Sequence, residues 1–199
     1  MKNVILENFK NFGFIRSKVP INLFNKIKKE CLSNPKNKMT SFVTGPNVAK
    51  HFYMEKNKKE FNDHLAQVIK IYKDQDGYLN SVKILEKNSP IKLGLSWINY
   101  QKRYEFFPVH NHSGVLSYVL WVNIPYDVEK EIKGATPYAS CFEFFYCNIL
   151  GEYTSYKIKV GKQDEGTLLI FPASLSHCVY PFYTSKGTRI SVSGNIFLT

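Results

Sequence analysis

Three of the chain's five histidines lie in two short segments whose spacing could form a metal site. His110 and His112 are two residues apart, and side chains two apart on a β-strand leave the same face of the sheet. Two imidazoles on one face can chelate a transition metal. His177 comes later, within the apolar run 168–182, and can join the pair only if the fold brings distant strands together. A small antiparallel barrel does this, so the histidines predict a metal centre inside a barrel.

The segment that begins at Arg189 alternates polar and apolar residues, as a β-strand does. Arg189, Ser191 and Ser193 share one face, whereas Ile190 and Val192 take the other. An arginine on an otherwise apolar strand is costly to bury unless it meets an anion, and its planar guanidinium suits a carboxylate through two hydrogen bonds. A metal site together with a buried carboxylate receptor predicts an enzyme that combines a metal with an organic-acid cosubstrate.

Two motifs occur in order along the second half of the chain. The first is H-x-H-S-G with a following S-x-V and a proline, and the second is F-P, a histidine and R-x-S. With these motifs the segment from Trp97 to Asn195, half of the chain, resembles the double-stranded β-helix iron(II)/2-oxoglutarate dioxygenases, in particular the small oxygenases of phages and bacteria. The matching residues are His110, His112, Ser113, Gly114, Ser117, Val119, Pro125, Gly166, Phe171, Pro172, His177, Arg189, Ser191 and Asn195.

The resemblance implies a set of cofactors and a reaction. His110, His112 and His177 would be the catalytic ligands of iron(II), with 2-oxoglutarate and O2 as cosubstrates. Conversion of 2-oxoglutarate to succinate and carbon dioxide would accompany hydroxylation of a substrate C–H bond. In most of that superfamily the first motif is His-x-Asp or His-x-Glu, which gives iron two histidines and one carboxylate. This chain has His112 where that carboxylate would stand.

The departure at His112 leaves two ligand sets open. In the first, three neutral imidazoles bind iron. In the second, only His110 or His112 binds together with His177, and a carboxylate from elsewhere completes the set. Glu143 is the candidate for that carboxylate, because it is flanked by aromatic residues on a predicted strand. The spacing of His110 and His112 favours the three-histidine set.

Four residues are expected to bind 2-oxoglutarate. Arg189, helped by Ser191, would bind the far carboxylate. Asn99 and Tyr118 are the further expected polar partners, because Asn99 lies on the predicted strand before the histidine motif and Tyr118 on the one after it.

Two other functions stay open at this point. A cupin-like dioxygenase could use three histidines without 2-oxoglutarate, and the histidine at position 112 supports it. A non-catalytic jelly-roll protein could bind an anion, nucleic acid or a structural partner, for which the only support is the net charge of +11, from 27 basic and 16 acidic side chains. The lysines are scattered and form no groove-reading motif, so the charge indicates non-specific attraction at most. The prime substrate could be a protein side chain, a nucleobase or a small molecule.

The cellular location and assembly are predicted from simple features. The four cysteines include no C-x-x-C pair, and no run of about 18 apolar residues could span a membrane. The N-terminal residues lack the apolar stretch of a signal peptide. We therefore expect reduced thiols, a cytoplasmic location and no membrane partner. A homodimer is expected only because dimers are the commonest assemblies.

The predicted fold class is mainly β with flanking α, a double-stranded β-helix (jelly roll, cupin-like) buttressed by N-terminal helices. A single domain at 1–199 would comprise a helical support region at 1–90, with an early strand at 12–19, and a jelly-roll catalytic core at 91–199. Helices are predicted at 20–33, 60–71 and 78–86, and loops at 41–48 and 125–138, the latter over the barrel mouth. Strands are predicted at 93–100, 117–124, 141–148, 153–160, 167–171, 177–181 and 189–197.

Overall fold

The structure is a computed structural model that describes residues 11–33, 35–38, 50–76, 78–82 and 90–198. These residues form ten β-strands and four α-helices, with a 3-10 turn at Lys162–Asp164. In chain order the elements are β1 (Ile15–Lys18), α1 (Ile21–Leu32), β2 (Lys50–Tyr53), α2 (Lys58–Asp76), α3 (Tyr78–Ser81), β3 (Ile91–Gln101), β4 (Phe107–His110), β5 (Leu116–Asn123), α4 (Val128–Gly134), β6 (Phe142–Cys147), β7 (Tyr153–Ile158), β8 (Thr167–Pro172), β9 (Ser176–Val179) and β10 (Arg189–Leu198).

The strands form two antiparallel sheets. The larger sheet has the order β1-β8-β5-β10-β3-β2, and the smaller has the order β4-β9-β6-β7. Most neighbours in these sheets are distant in sequence, as a jelly roll requires. The predicted double-stranded β-helix is therefore confirmed, and its strand order brings the two histidine segments together, because β4 and β9 are neighbours.

The two faces of the larger sheet are buried against different partners. One face carries side chains such as Leu120 and Val192, which pack with Ile27 of α1 and with Phe61 and Leu65 of α2 in a single apolar cluster. The predicted support by N-terminal helices is confirmed by this cluster. α1 and α2 match the helices predicted at 20–33 and 60–71, although α2 continues to Asp76.

The opposite face of the larger sheet looks toward the smaller sheet. Val119 and Trp121 of β5 and Phe171 of β8 pack there with Phe142 and Phe144 of β6. Alternation along β5 explains the division, because odd-numbered residues of this strand face the smaller sheet and even-numbered ones face the helices. This aromatic cluster fills part of the space between the sheets, and polar residues of β3 and β10 line a cavity beside it.

The prediction of a surface loop at 125–138 was wrong, because this segment contains α4. Asp127 caps the helix by accepting a hydrogen bond from the Glu129 backbone N–H at 3.0 Å. The fully buried Glu131 carboxylate accepts backbone N–H bonds from Tyr183 and Thr184, each at 2.7 Å. α4 is therefore tied to the segment that leads into β10, rather than lying loosely over the barrel mouth.

The other predictions of strands, helices and loops are confirmed to different extents. All seven strands predicted from residue 93 onward are confirmed, as β3, β5, β6, β7, β8, β9 and β10, with bounds that differ by a few residues. The early strand is confirmed as β1. In the described part of the third predicted helix, residues 78–82, the chain forms the single turn α3. The rest of that prediction lies outside the described residues, as does the loop predicted at 41–48.

Candidate active site

His110, His112 and His177 form one cluster between the sheets. His110 ends β4 and stands directly opposite His177 of β9 in the strand register. The ring centroids lie 4.3 Å apart for His110 and His177, 5.0 Å for His110 and His112, and 5.1 Å for His112 and His177. One nitrogen from each ring can be chosen so that all three atoms lie within 4.8 Å of one another. Such a group can bind a metal ion.

His112 reaches this cluster from outside the strand. β4 ends at His110, so the premise that both histidines of the pair sit on one strand was wrong for His112. The backbone N–H of His112 donates to the Ala173 carbonyl at 2.9 Å, which fixes this residue beside β8. Gly114 then turns the chain back into β5 with a φ of 99°, where an added Cβ would lie 2.5 Å from the Ile196 carbonyl oxygen. The Ser-Gly of the motif therefore forms a turn that only glycine fits.

Two of the three imidazoles are oriented by backbone carbonyls. Nδ1 of His110 donates to the Pro108 carbonyl at 2.7 Å, and Nδ1 of His177 donates to the Leu175 carbonyl at 2.9 Å. A carbonyl oxygen can only accept, so the proton of each ring lies on Nδ1 and the lone pair on Nε2. A hydrogen bond of this kind fixes the tautomer and the ring orientation of a metal-binding histidine.

Burial keeps the three imidazoles neutral. It lowers the pKa of His177 to about 3, with a further contribution from the neighbouring His110. It likewise lowers the pKa of His112 to about 4 and that of His110 below its ordinary value. The neutral form is the one that offers a lone pair to a metal, so the cluster is a set of three available nitrogen donors at neutral pH.

Aromatic rings surround the histidine cluster. Phe142 stacks on His177 with centroids 5.3 Å apart, and the ring of Phe171 lies edge-on at 5.0 Å. The ring of Phe107 lies against that of His110, tilted, with centroids 5.5 Å apart. These apolar rings restrict water around the three nitrogen donors and explain why His177 is only 3 % exposed.

Glu143, the alternative carboxylate, lies on the other face of β6. Phe142 and Phe144 face His177, and the residue between them therefore points away. The Glu143 carboxylate accepts hydrogen bonds from Ser155 and Tyr180, each at 2.6 Å. In the described ranges the histidine group includes no carboxylate.

A cavity of about 410 Å³ opens beside the histidines. Its wall on the larger sheet includes a polar row across three strands, in which His51 of β2 pairs with Asn99 of β3 and Asn99 pairs with Ser191 of β10. The Asn99 side-chain amide donates to the hydroxyls of Ser191 and Ser193 at 3.1 and 3.0 Å. Asn99 and Ser191 thus line one wall of the cavity, and their binding of 2-oxoglutarate stays a prediction.

The hydroxyl of Tyr118 has a partner within the larger sheet. Its hydroxyl hydrogen-bonds Ser96 at 2.7 Å, and its ring contacts Phe61 of α2. Gly194 makes room for it, since a Cβ there would lie 2.2 Å from the Tyr118 oxygen. The hydroxyl therefore lies on the helical face of the larger sheet, whereas Tyr118 is also among the residues that line the cavity. A polar contact between Tyr118 and 2-oxoglutarate stays a prediction.

Arg189 lines the far part of the same cavity and is 3 % exposed. All five of its N–H groups are hydrogen-bonded. Nε and Nη2 both donate to the Gln101 side-chain oxygen, and the remaining donors reach the Tyr126 hydroxyl and the carbonyls of Ser140 and Tyr180. Each of these acceptors is neutral. In the part of the chain that the structure describes, Arg189 forms no ion pair.

The arginine environment corrects one step of the sequence argument. An anion was expected to be needed for burial of Arg189, but neutral oxygens satisfy its hydrogen bonds. They do not cancel its charge, and an unpaired buried charge is costly. Gln101, Tyr126 and His51 were all missed by sequence reasoning. Gln101 alone had a signal, because it shares a face with Asn99 just beyond the predicted end of its strand.

The fold and the site together define a class of protein: a double-stranded β-helix with two histidines on β4 and β9, a third just beyond β4, and a buried arginine on β10. Residues 95–195 match a protein family described as "Putative 2OG-Fe(II) oxygenase". The chain belongs to this family and is an iron(II)- and 2-oxoglutarate-dependent oxygenase, which uses 2-oxoglutarate and O2 as cosubstrates. The cupin-type and non-catalytic alternatives are not favoured. A comparison with curated protein sequences found no match.

Solved structures show the same fold at low sequence identity. A prolyl-4-hydroxylase from Pseudomonas putida is 15% identical with a TM-score of 0.59, and the match covers 94% of each chain. The viral collagen prolyl hydroxylase of Paramecium Bursaria Chlorella virus-1, in complex with 2-oxoglutarate, is 10% identical with a TM-score of 0.54, and 92% of this chain and 94% of that one are covered. HygX from Streptomyces hygroscopicus, with nickel and 2-oxoglutarate bound, is 12% identical with a TM-score of 0.58 and coverages of 94% and 84%.

The three histidines fit the iron(II) that this class requires. They offer three neutral nitrogen donors, two of them oriented by carbonyls, beside a cavity large enough for a small organic acid. Of the helices described, none is long and apolar enough to cross a membrane.

Proposed function

We propose that this oxygenase hydroxylates a substrate C–H bond at an iron(II) ion bound by His110, His112 and His177. The observation that carries the proposal is the convergence of three neutral imidazoles, with nitrogens within 4.8 Å of one another, at a cavity that also contains an unpaired buried arginine. When bound, iron(II) with 2-oxoglutarate supplies the oxidising chemistry of the family, which yields succinate and carbon dioxide.

The protein contributes orientation and a dry surrounding to this chemistry. The carbonyls of Pro108 and Leu175 keep the Nε2 lone pairs of His110 and His177 directed away from the backbone contacts. The ring of Phe142 excludes water from one side of His177. Because three neutral ligands leave iron one negative charge short of the usual set, we expect the metal to exchange more readily than in relatives with a carboxylate ligand.

Arg189 and Ser191 are proposed to bind the far carboxylate of 2-oxoglutarate. Arg189 carries a buried positive charge that forms no ion pair with a described carboxylate, and it lines the same cavity as the histidines. Ser191 is its neighbour on the inner face of β10. Asn99 is proposed to orient the Ser191 hydroxyl, to which it already donates at 3.1 Å.

The cellular setting is proposed on the basis of the thiols. Cys31, Cys141 and Cys178 are buried and Cys147 is exposed, and all four are free. Free thiols and reduced iron both suit a reducing compartment, so we propose a cytoplasmic location in a bacterium, or in a phage-infected one. The expected homodimer is tested by light scattering of the purified protein.

The proposed reaction is tested by succinate formation and oxygen uptake. The purified protein is loaded with iron(II) without oxygen and then given 2-oxoglutarate and O2, first alone and then with peptide, nucleic-acid and small-molecule pools. Both peptide and small-molecule pools are included because the structural neighbours include prolyl hydroxylases and a carbocyclase from nogalamycin biosynthesis. Iron-dependent succinate that rises with one pool supports the proposal and identifies the substrate class. Iron binding without any effect of 2-oxoglutarate would contradict it.

A further inference from the structure

Gln101 and Arg189 form a closed pair at the end of the cavity. The two residues face each other in the register of β3 and β10, and they are 4 % and 3 % exposed. The Gln101 Oε1 atom accepts from Arg189 Nε at 3.0 Å and from Nη2 at 2.6 Å. One oxygen of Gln101 thus accepts from both Nε and Nη2, the pair of donors that best suits a carboxylate bound through two hydrogen bonds.

The other donors of Arg189 are less replaceable. Two of them reach backbone carbonyls, those of Ser140 and Tyr180, and one reaches the hydroxyl of Tyr126, whose ring packs on Phe182 with centroids 4.9 Å apart. Backbone carbonyls in the interior cannot withdraw without moving the chain. The amide of Gln101 lies at the end of a side chain with three rotatable bonds, and it also contacts the Glu105 carbonyl through its NH2 group. Gln101 is therefore the partner of Arg189 that can leave by a side-chain rotation alone.

We propose that Gln101 is a positioning residue that occupies the carboxylate site of Arg189 until the cosubstrate displaces it. This inference rests on the proposed function of Arg189. A hydrogen bond between two charged groups is stronger than one between a charged and a neutral group, so a carboxylate can replace the amide oxygen of Gln101. A 2-oxo acid without a second carboxylate cannot do so. Gln101 thereby favours dicarboxylic 2-oxo acids, such as 2-oxoglutarate, over monocarboxylic ones, such as pyruvate.

Two variants of Gln101 separate this role from a structural one. Gln101→Glu has nearly the same shape but places an anion beside Arg189, where it competes with the cosubstrate. Gln101→Leu has a similar volume but accepts no hydrogen bond, so it leaves Nε and Nη2 without that acceptor. The control is Gln67→Glu, which makes the same chemical change at an exposed position of α2.

The readouts are the dissociation constant of 2-oxoglutarate, titrated without oxygen into the iron-loaded protein, and the rise in melting temperature at saturating 2-oxoglutarate. We expect Gln101→Glu to weaken 2-oxoglutarate binding about tenfold or more, the effect of competition for one charge-assisted interaction. We expect Gln101→Leu to bind 2-oxoglutarate at least as tightly as the parent and to gain a larger rise in melting temperature, because the ligand then restores the missing acceptor. Gln67→Glu should behave like the parent.

The inference is overturned if both Gln101 variants bind 2-oxoglutarate like the parent, or if both lose affinity equally, as a merely structural contact would. Melting curves without ligand report whether each variant folds. If Gln101→Glu does not fold, Gln101→Leu still tests the inference. Weaker 2-oxoglutarate binding by Gln101→Leu would contradict the idea that Gln101 occupies the carboxylate site until the cosubstrate displaces it. If the parent itself binds iron but no 2-oxoglutarate, the proposed function fails, and that result is distinct from failure of the Gln101 inference.

Discussion

The two ends of the cavity differ in whether their ligand-binding groups already have hydrogen-bond partners. At one end His110 and His177 donate through Nδ1 to backbone carbonyls, which leaves the Nε2 lone pairs available. At the other end every N–H of Arg189 already has an acceptor. The histidine end is therefore open to its ligand, whereas the arginine end is closed by the protein's own oxygens.

This difference determines which hydrogen bonds each ligand must replace in order to bind. A metal at the histidine end replaces no hydrogen bond among the described residues, so its affinity should depend on the number and charge of the donors. A carboxylate that binds at the arginine end must replace a neutral acceptor of Arg189. Its affinity therefore depends on how much stronger its hydrogen bonds to the guanidinium are than those of the acceptor that it replaces. Variants at the histidine end should therefore cause larger losses of ligand affinity than variants at the arginine end.

The largest effect is expected from His177→Ala. His177 is the most buried member of the cluster, and its loss leaves two imidazoles that cannot complete the set. Iron binding and succinate formation should be abolished while the melting temperature stays close to that of the parent, since the surrounding rings remain. His64→Ala, at a histidine on α2 outside the cavity, is the matched control and should keep both properties. Unchanged turnover in His177→Ala would remove His177 from the site.

The identity of the third ligand is tested by a pair of variants. We expect His112→Ala to weaken iron affinity by more than the roughly 10–100-fold typical of losing an outer hydrogen-bond partner of a ligand, because a direct donor is lost. Glu143→Gln should leave the iron dissociation constant unchanged, since Glu143 faces Ser155 and Tyr180 instead. Iron titration followed by absorbance or calorimetry gives both values. The reverse result would restore the ligand set that includes Glu143.

A graded effect is expected from Arg189→Ala. Its removal should weaken 2-oxoglutarate binding by about 1.5–3 kcal/mol, the usual contribution of a hydrogen bond to a charged group, with iron affinity unchanged. Arg16→Ala removes an arginine that pairs with Asp164 at 2.8 Å and is not among the residues that line the cavity, and it serves as the control. Calorimetric titration without oxygen measures the change. Parent-like affinity for 2-oxoglutarate in Arg189→Ala would mean that its buried charge is only structural.

How far the sequence could predict these regions also differs between them. The histidine cluster was foreseeable, because the H-x-H spacing and the apolar run around His177 both indicate inward strands. The position of His112 beyond the strand was not, since it depends on the Gly114 turn and on a bond to the Ala173 carbonyl. At the arginine end the alternation of β10 predicted an inward Arg189. Its hydrogen-bond acceptors come from four separate segments, and no local sequence pattern predicts that these segments lie together around Arg189.

The helical segment α4 shows the same limit on a larger scale. Its charged residues are typical of a solvated loop, and they led to the prediction of one. The structure buries Glu131 completely, because two backbone N–H groups of the segment before β10 converge on its carboxylate. A carboxylate that satisfies distant backbone donors is a tertiary feature, and neither helix periodicity nor composition reports it.

The smallest effect is expected from His51→Phe, at the side of the cavity between the two ends. His51 is 7 % exposed, and its Nε2 has no hydrogen-bond partner in the described part of the chain. Its ring stacks on Phe107 with centroids 5.2 Å apart, a contact that phenylalanine preserves. A buried polar atom without a partner costs about 1–3 kcal/mol of stability. The free energy of unfolding of the variant should therefore be higher than that of the parent by about this amount at pH 7.

Acid should enlarge the effect of His51→Phe. Burial lowers the pKa of His51 from 6.5 to about 4, so on acidification the unfolded chain takes up a proton at this residue before the folded protein does. The parent therefore loses stability from this group as the pH falls from 6.5 towards 4, and the variant does not. Urea unfolding of both iron-loaded proteins at pH 7 and pH 5 measures the two differences. A variant less stable than the parent at both pH values would mean that the His51 nitrogen is paired, as the Arg189 donors are, and is not left open like the nitrogens of the cluster.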